Sequence, residues 1–428
     1  MKINHIQATE ILDSRGNPTI KVELLLEDGS YGDFSVPSGA STGIHEAHEL
    51  RDEDPLRYHK KGVLKVIENI NSIKNELYKR SFTQTSLDEF LILKDGTPNK
   101  TKLGANAILG ISIAFARACS KHYNLPLYEY LHRLYIGKSM RSKTITCSHT
   151  PLLFSNIING GEHADNDLMA QECMIICNSR NIEESVRKTS EVYHLLKGEI
   201  KNKYGAGSVG LGDEGGFAPN VKSIEDAFNL ISKVLKDSNY TSNFVFAIDP
   251  AASEFYDSRT KLYEIEKNKK ITAKELIEYY KNLISKFPLI SIEDSFAEDD
   301  FTGFANFQKM ISKITKEENP FSTILNVGDD LLVTNPQRIQ IGIDKKLCNA
   351  LLLKINQIGT LTESFKAAKL SQEQGWSVIV SHRSGETIDS FIADLAVAIG
   401  GEIKLGAPAR GERIAKYNRL LEICKNFN

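Results

Sequence analysis

Five short apolar runs, each leading into charged side chains, constrain the fold of this 428-residue chain more than any other feature. Runs that are apolar on both faces and alternate with helical periodicity are typical of parallel strands covered by helices. The sequence therefore predicts an α/β fold. The runs cover residues 244–248, 289–292, 324–327, 349–353 and 378–380, and they lead into Asp249, Glu293, Asp329, Lys354 and Ser381-His382-Arg383.

The charged ends of these runs indicate where a site would lie. If the sheet closes into a barrel, the C-terminal ends of its strands converge on one mouth. A single Asp or Lys at a strand end is more often part of a salt bridge that closes a loop, and for each residue alone that alternative stands. Five charged ends in succession are harder to explain by packing, so we expect a site at this mouth.

The length and the order of patterns predict two domains. A chain of 428 residues can hold a barrel of roughly 250 residues and a second domain. Residues 3–36 alternate as three strands in a meander, and apolar residues at helical spacing follow from about residue 60 to residue 134. Residues 136–151 are polar and aperiodic. We therefore place an α+β N-terminal domain at residues 1–138 and the barrel at residues 139–428.

Composition argues against several classes of partner. The net charge is −2, and the chain contains no basic block long enough to follow a phosphate backbone, so we expect no nucleic acid partner. The N-terminus lacks an apolar signal core, and no apolar run approaches the ~20 residues of a membrane span. Six scattered cysteines without a CxxC pair suit reduced thiols, and we expect a cytoplasmic protein.

The residues predicted at the barrel mouth suit a metal ion, an anionic substrate and a base. Three carboxylates from neighbouring strands form an all-oxygen site of charge about −3, which suits a hard dication such as Mg²⁺. Arg383, Lys404 and His163 would suit an anionic substrate. Lys354 is then the candidate base, provided that its pKa falls from about 10.4 to roughly 7–8. A dication and a guanidinium within ~5 Å are sufficient in size to lower it.

Three glycine-containing segments admit two interpretations each. Residues 38–43 are a plain linker or a mobile lid, and His163 within residues 159–166 is solvated or part of the site. The segment Gly212-Asp213-Glu214-Gly215-Gly216 is a sharp turn, or it holds a general acid apart from the three carboxylates.

Eight motifs carry a resemblance to a known family, and together they are highly specific. The motifs are Ile11-Leu12-Asp13-Ser14-Arg15-Gly16-Asn17-Pro18, Ser38-Gly39-Ala40-Ser41-Thr42-Gly43, Asn159-Gly160-Gly161-Glu162-His163-Ala164, Gly212-Asp213-Glu214-Gly215-Gly216, Ala251-Ala252-Ser253-Glu254-Phe255-Tyr256, Ser291-Ile292-Glu293-Asp294, Lys354-Ile355-Asn356-Gln357-Ile358-Gly359-Thr360 and Ser381-His382-Arg383-Ser384-Gly385-Glu386-Thr387. Through these motifs the chain resembles the enolase family over nearly its whole length. Ser295, Cys173 and Leu405 depart from the residues usual at their positions, but none of these changes removes a chemical group from the site.

The resemblance implies a distorted (β/α)₈ TIM-type barrel with a smaller α+β N-terminal domain, and a homodimer. It implies reversible dehydration of 2-phosphoglycerate to phosphoenolpyruvate with two Mg²⁺ per active site. Lys354 would remove the C2 proton, and Glu214, with Glu172 beside it, would assist departure of the C3 hydroxyl. The implied metal ligands are Asp249, Glu293, Asp329 and Ser41, and the implied substrate contacts are His163, Glu172, Glu293, Asp329, His382, Arg383, Ser384 and Lys404.

Two other functions compete with this one. A different enolase-superfamily enzyme, such as an acid-sugar dehydratase, is similar in barrel and metal ligands but generally lacks the segments at residues 38–43 and 212–216. A non-catalytic binding protein of the same fold would need neither Lys354 nor Glu214. The presence of all these features favours the enolase function.

Overall fold

The N-terminal part of the chain forms a three-stranded antiparallel sheet packed against helices, as the meander pattern predicts. The computed structural model describes residues 1–39, 45–141, 147–266, 269–315 and 319–427. Gly32 lets the sheet approach a helix closely, because a Cβ there would lie 2.2 Å from the carbonyl oxygen of Ala114. The elements are β1 (Ile3–Leu12), β2 (Pro18–Leu26), β3 (Tyr31–Ser35), α1 (Leu64–Leu77), α2 (Gln84–Asp95), α3 (Ala105–His122) and α4 (Leu127–Tyr135).

Eight strands of the second part close into a barrel in the order β4-β5-β6-β10-β11-β12-β13-β14, and three others form a separate antiparallel sheet that the sequence did not predict. The strands are β4 (Leu153–Asn159), β5 (Glu172–Cys177), β6 (Phe244–Asp249), β7 (Tyr256–Asp257), β8 (Leu262–Glu266), β9 (Lys269–Ile271), β10 (Leu289–Glu293), β11 (Leu325–Gly328), β12 (Ala350–Leu353), β13 (Ser377–Ser381) and β14 (Glu402–Lys404).

Helices alternate with the barrel strands and cover them on the outside. Inward-facing apolar side chains such as Phe154, Val245, Leu325 and Leu352 fill the barrel interior as a separate buried cluster. The helices are α5 (Ile182–Tyr204), α6 (Ile224–Asp237), α7 (Ala273–Lys286), α8 (Phe301–Ile311), α9 (Pro336–Lys345), α10 (Ile355–Ile358), α11 (Leu361–Glu373), α12 (Phe391–Ile399) and α13 (Gly411–Cys424).

One strand corrects the prediction of a parallel sheet. Strand β5 runs antiparallel to both β4 and β6, whereas the other barrel strands pair in parallel. A parallel connection needs a crossover, usually a helix, but β4 and β5 are joined by a glycine-rich loop with one short 3₁₀ turn at Gly161–His163. The reversal places the first residue of β5, Glu172, beside the last residue of β6, Asp249.

All six cysteines are buried and unpaired. Among the described helices, none is both long and apolar enough to cross a membrane.

A buried carboxylate joins the two parts of the molecule. Asp88 on α2 accepts hydrogen bonds from the backbone N–H of Thr362 (3.0 Å) and from its hydroxyl (2.5 Å) at the start of barrel helix α11. The Gln84 amide, one turn before Asp88, donates to the same carboxylate at 3.1 Å. Burial outweighs these bonds and raises the pKa of Asp88 to about 6.

We expect the raised pKa of Asp88 to make stability depend on pH. Because the folded-state pKa exceeds the unfolded value of about 3.9, the folded protein holds more protons between about pH 4 and 6, and the free energy of unfolding falls as pH rises through that window. The free energy of unfolding of Asp88→Asn, relative to that of the wild type, should therefore increase by about 3 kcal/mol between pH 4 and pH 7. Urea unfolding at a series of pH values measures it.

Asp95 on the same helix is the matched control for this prediction. Burial opposes its charge, but hydrogen bonds from Thr97, Leu103 and Lys102 lower the pKa of Asp95. Asp95→Asn should consequently lose stability relative to the wild type as pH rises. If the stability relative to the wild type changed in the same direction with pH for both variants, the raised pKa assigned to Asp88 would be wrong.

Candidate active site

The side chains at the predicted strand ends lie together at one end of the barrel. Asp249, Glu293 and Lys404 are the last residues of β6, β10 and β14, and Asp329 and Lys354 directly follow β11 and β12. Because β5 is reversed, its first residue, Glu172, reaches the same end. A cavity there is lined by His163, Gln171, Glu172, Glu214, Asp249, Ala251, Asp294, Asp329, Asp330, Lys354, Ser381, His382, Arg383, Ser384 and Lys404.

Lys404 is the centre of a buried charge cluster. Its Nζ lies 2.9 Å from both carboxylate oxygens of Glu293, 3.2 Å from Asp249 Oδ2 and 2.9 Å from Glu172 Oε2. Burial lowers the pKa of Lys404, but these carboxylates outweigh burial and raise it well above its ordinary value. The carboxylates therefore favour the charged form of Lys404, which opposes a role as a base near neutral pH.

Lys354 makes a different pairing. Its Nζ donates to Asp329 Oδ2, and 15% of the Lys354 side chain and 8% of the Asp329 side chain are exposed. Burial lowers the pKa of Lys354, yet the Asp329 carboxylate outweighs burial, and the net direction is upward. The sequence predicted a lowered pKa for Lys354, and this prediction does not hold in the structure. The charges of Arg383 and Lys404 do lower the pKa, but the effect of Asp329 is larger.

Glu172 and Glu214 are two buried carboxyl groups whose pKa values move in opposite directions. Burial, followed by the charge of Glu214, raises the pKa of Glu172 well above its ordinary range. Burial also opposes charge on Glu214, but His382, His163 and Lys404 lower its pKa, and the net direction is downward. Of the two groups, Glu172 therefore takes up a proton more readily than Glu214.

Close backbone packing explains the glycines around Glu214. A Cβ at Gly212 would lie 2.6 Å from the carbonyl oxygen of His163, and one at Gly216 would lie 2.5 Å from Asn159 Oδ1. The glycine-rich segment is therefore a sharp turn pressed against the end of β4, and this turn holds Glu214 in the cavity. The interpretation as a sharp turn is confirmed, and the role of Glu214 as a general acid stays a prediction.

Arg383 forms a buried ion pair with Glu46, a residue that was not among the predicted site residues. Its guanidinium donates to both oxygens of Glu46 at 3.1 and 3.2 Å and to Asn356 Oδ1 at 2.9 Å. Ser384 lies next to it, with its hydroxyl oxygen 3.4 Å from Arg15 Nη1. Ser41, the predicted ligand on the lid segment, lies outside the described residues.

Four further residues that sequence reasoning missed position the predicted groups. Gln357 Nε2 donates to Asp329 Oδ1 at 2.8 Å, and Gln357 Oε1 accepts from the hydroxyl of Thr334 at 2.8 Å. Asn156 Nδ2 donates to Glu214 Oε2 at 2.8 Å. Asp294 accepts the backbone N–H groups of Asp329 and Asp330 at 2.9 and 2.8 Å. Only Gln357 and Asp294 had a signal, because both lie in motifs quoted above.

The donor set at the mouth fits a hard dication. Burial, followed by the charge of Asp249, raises the pKa of Glu293 well above its ordinary range, and the charge of Lys404 acts against this shift. Carboxylate oxygens are the ligands that hard cations prefer. Among the described residues, two groups have ligand atoms that all lie within 4.8 Å of one another, namely His163 with Glu172 and Glu214, and Asp294 with Asp329 and Asp330. Of the three strand-end carboxylates, Asp329 alone belongs to one of these groups.

Comparison with known proteins gives matches along nearly the whole chain. A family model described as "Enolase, N-terminal domain" matches residues 3–131, and one described as "Enolase, C-terminal TIM barrel domain" matches residues 148–428. An enolase of Methanocaldococcus jannaschii is 50% identical over 426 residues, which cover 99% of this chain and 95% of that protein. Enolase 1 of Entamoeba histolytica is 48% identical over 436 residues, covering 99% of this chain and 96% of that protein.

Proposed function

Because this chain belongs to the enolase family and carries out the hydro-lyase reaction of that family, we propose that its barrel mouth binds 2-phosphoglycerate and converts it reversibly to phosphoenolpyruvate in glycolysis and gluconeogenesis. The observation that carries this proposal is the meeting of two ammonium groups with several carboxyl groups around one cavity. The groups concerned are Lys354, Lys404, Asp249, Asp329, Glu172 and Glu214, and Glu293 contacts Lys404 beside them. Such a set can remove a proton from one carbon and deliver a proton to a leaving group on the next.

Lys354 is the proposed base for the C2 proton. It is one of two lysines among the residues that line the cavity, and the other, Lys404, is fixed as a cation by several carboxylates. Removing the C2 proton gives an ene-diolate, whose second negative charge needs fixed positive charge nearby. Lys404 and Arg383 supply part of that charge. For Lys354 to accept a proton, its ion pair with Asp329 must first be released.

The carboxyl pair is the proposed source of the proton for the C3 hydroxyl. Glu214 is the donor, and Glu172 holds the shared proton while no substrate is bound. Transfer of this proton from Glu172 to Glu214 prepares the acid. Proton donation to the hydroxyl oxygen then accompanies breakage of the C3–O bond, and water leaves. His163, whose Nδ1 lies 3.8 Å from Glu214 and 4.0 Å from Glu172, faces both groups.

Arg383 and Ser384 are proposed to bind the phosphate. Two guanidinium nitrogens of Arg383 donate to the two carboxylate oxygens of Glu46. A substrate phosphate would replace Glu46 and accept the same two hydrogen bonds. His163, Glu172, Glu293, Asp329, His382 and Lys404 complete the proposed substrate contacts.

We propose Mg²⁺ as the cation, with two ions per active site. Asp249, Glu293 and Asp329 would hold the first, and Ser41 together with the substrate phosphate would hold the second. When bound, Mg²⁺ supplies positive charge that stabilises the substrate carboxylate as its negative charge increases. A homodimer and a cytoplasmic location also belong to this proposal.

A direct assay tests the reaction. Incubation of the purified protein with 2-phosphoglycerate and Mg²⁺ should increase the ultraviolet absorbance as the new double bond forms, and chelation of Mg²⁺ should stop the increase. An acid-sugar substrate would replace 2-phosphoglycerate in the control. Turnover of the acid sugar alone would reject the proposed substrate.

We expect Gln357 to influence metal affinity through Asp329. Removing its hydrogen bond in Gln357→Met should weaken metal binding about 10- to 100-fold, because partners that orient a ligand contribute on this scale. Mn²⁺ binding followed by electron paramagnetic resonance measures the affinity without substrate. Gln372→Met is the control, since Gln372 contacts Tyr135 and Ile399 instead. Equal affinity in all three proteins would remove Gln357 from this role.

A further inference from the structure

Arg413 is a fully buried cation behind the active site. It lies near the start of α13, and its guanidinium donates to four groups of the site. The acceptors are His382 Nδ1 at 2.5 Å, the carbonyl oxygens of Arg383 at 2.7 Å and Ser384 at 2.9 Å, and the carbonyl oxygen of Asp213 at 3.2 Å. The mechanism proposed above gives Arg413 no role.

The contact with His382 determines the imidazole tautomer. A guanidinium has only donors and does not lose its proton in proteins, so Nδ1 of His382 must be the acceptor. The ring hydrogen is therefore on Nε2. Burial lowers the pKa of His382 well below its ordinary value, and the charge of Glu214 acts against this shift. A proton on Nδ1 would face the guanidinium and break the contact.

The other ring nitrogen faces the acid. Nε2 of His382 lies 3.4 Å from Glu214 Oε1, and it is buried without a well-aligned hydrogen bond to any group in the described part of the chain. The second oxygen of Glu214 already accepts from Asn156 at 2.8 Å. A hydrogen on Nε2 would complete a pair of donors around this carboxyl group.

We propose that Arg413 is a positioning residue: it holds His382 as the Nε2–H tautomer, so that this N–H donates to Glu214 and stabilises the carboxylate formed when Glu214 gives up its proton. The role in the reaction rests on the proposed function, whereas the tautomer does not. In the step concerned, the O–H bond of Glu214 breaks, its proton joins the leaving hydroxyl oxygen, and the C3–O bond breaks to release water. The N–H of His382 shifts toward the new carboxylate without being transferred.

The tautomer can be measured on the full-length protein without substrate. Labelling with ¹⁵N-histidine and comparison with His382→Gln assigns the ring signals in a multiple-bond ¹H–¹⁵N correlation spectrum. We expect a protonated Nε2 and an unprotonated Nδ1. A hydrogen on Nδ1 would overturn the proposal, whatever the enzyme's activity. The expected tautomer in a protein that does not act on 2-phosphoglycerate would reject the proposed function only.

Substitutions of Arg413 test the role in catalysis. Arg413→Met should lower kcat about 10²- to 10³-fold, the scale of losing one donor to a developing charge, with KM changed less than about threefold, because Arg413 does not reach the cavity. In this variant His382 should no longer show one tautomer. Arg413→Lys, which keeps one donor, should recover part of both effects.

The carbonyl contacts of Arg413 offer a competing explanation that the same data exclude. If its role were to hold the backbone of Arg383 and Ser384, KM would rise in step with the loss of kcat and the tautomer would stay unchanged, which would overturn the proposal. Lys416→Met removes another buried cation of α13, one that pairs with Glu386 at 2.8 Å and donates to the carbonyl oxygens of Thr387 and Glu412. It does not contact His382 and should leave the tautomer as in the wild type. If Arg413→Met does not fold, the spectra of the wild type and Arg413→Lys decide the question.

Discussion

Lys354→Ala should reduce turnover of 2-phosphoglycerate by roughly 10³- to 10⁴-fold and should also stop exchange of the C2 proton with solvent. The physical reason is that Lys354 provides the amine which we assign as the base, whereas Lys404 is fixed in its charged form by Glu172, Glu293 and Asp249. Exchange is measured in deuterated water by nuclear magnetic resonance of the recovered substrate, and turnover by ultraviolet absorbance.

Two variants separate the loss of the base from the loss of a charge. Lys354→Arg keeps a cation that can pair with Asp329, but a guanidinium remains protonated, so this variant should be as inactive as Lys354→Ala. Lys366→Ala removes an exposed lysine of α11 and should behave as the wild type. Exchange at the wild-type rate in Lys354→Ala would remove Lys354 from its role. Substantial activity in Lys354→Arg would indicate that only the charge matters.

Glu214→Gln should separate the two proton transfers. A glutamine can keep the hydrogen bond from Asn156 but cannot donate an acidic proton, so turnover should fall about 10²- to 10⁴-fold while exchange at C2 continues. The base acts on a different carbon, and its ion pair with Asp329 does not involve Glu214. Loss of exchange and of turnover to the same extent would contradict the assignment of Glu214 as the acid.

Glu172→Gln tests the shared proton of the pair. Because burial and the charge of Glu214 raise the pKa of Glu172, we assign the shared proton to Glu172, and Glu172→Gln should also lower turnover and leave exchange intact. The double variant should lose hardly more than Glu214→Gln alone, since residues that act as a unit are not additive. Additive losses would show that the two carboxyl groups act separately.

Much of the fold and of the site could be predicted from the sequence, because the signals are local. A strand buried on both faces has a continuous apolar run whatever its neighbours are, and its end is marked by the first charged residue. This is how Asp249, Glu293, Asp329 and Lys354 could be assigned to one mouth. The helices of the small domain and α13 could likewise be predicted from their periodicity.

The tertiary structure decided the direction of β5 and the partners of each charge. Apolar runs look the same in parallel and antiparallel strands, so the pattern gave no sign that Glu172 would begin its strand at the mouth where Asp249 ends. Which lysine pairs with which carboxylate depends on barrel closure, and the closed barrel joins Lys404 to β5, β6 and β10 but Lys354 to Asp329. The direction of a pKa shift follows from these pairings, because it depends on burial and on the charges within a few ångströms. Neither the burial of a group nor its neighbouring charges can be read from the amino-acid sequence.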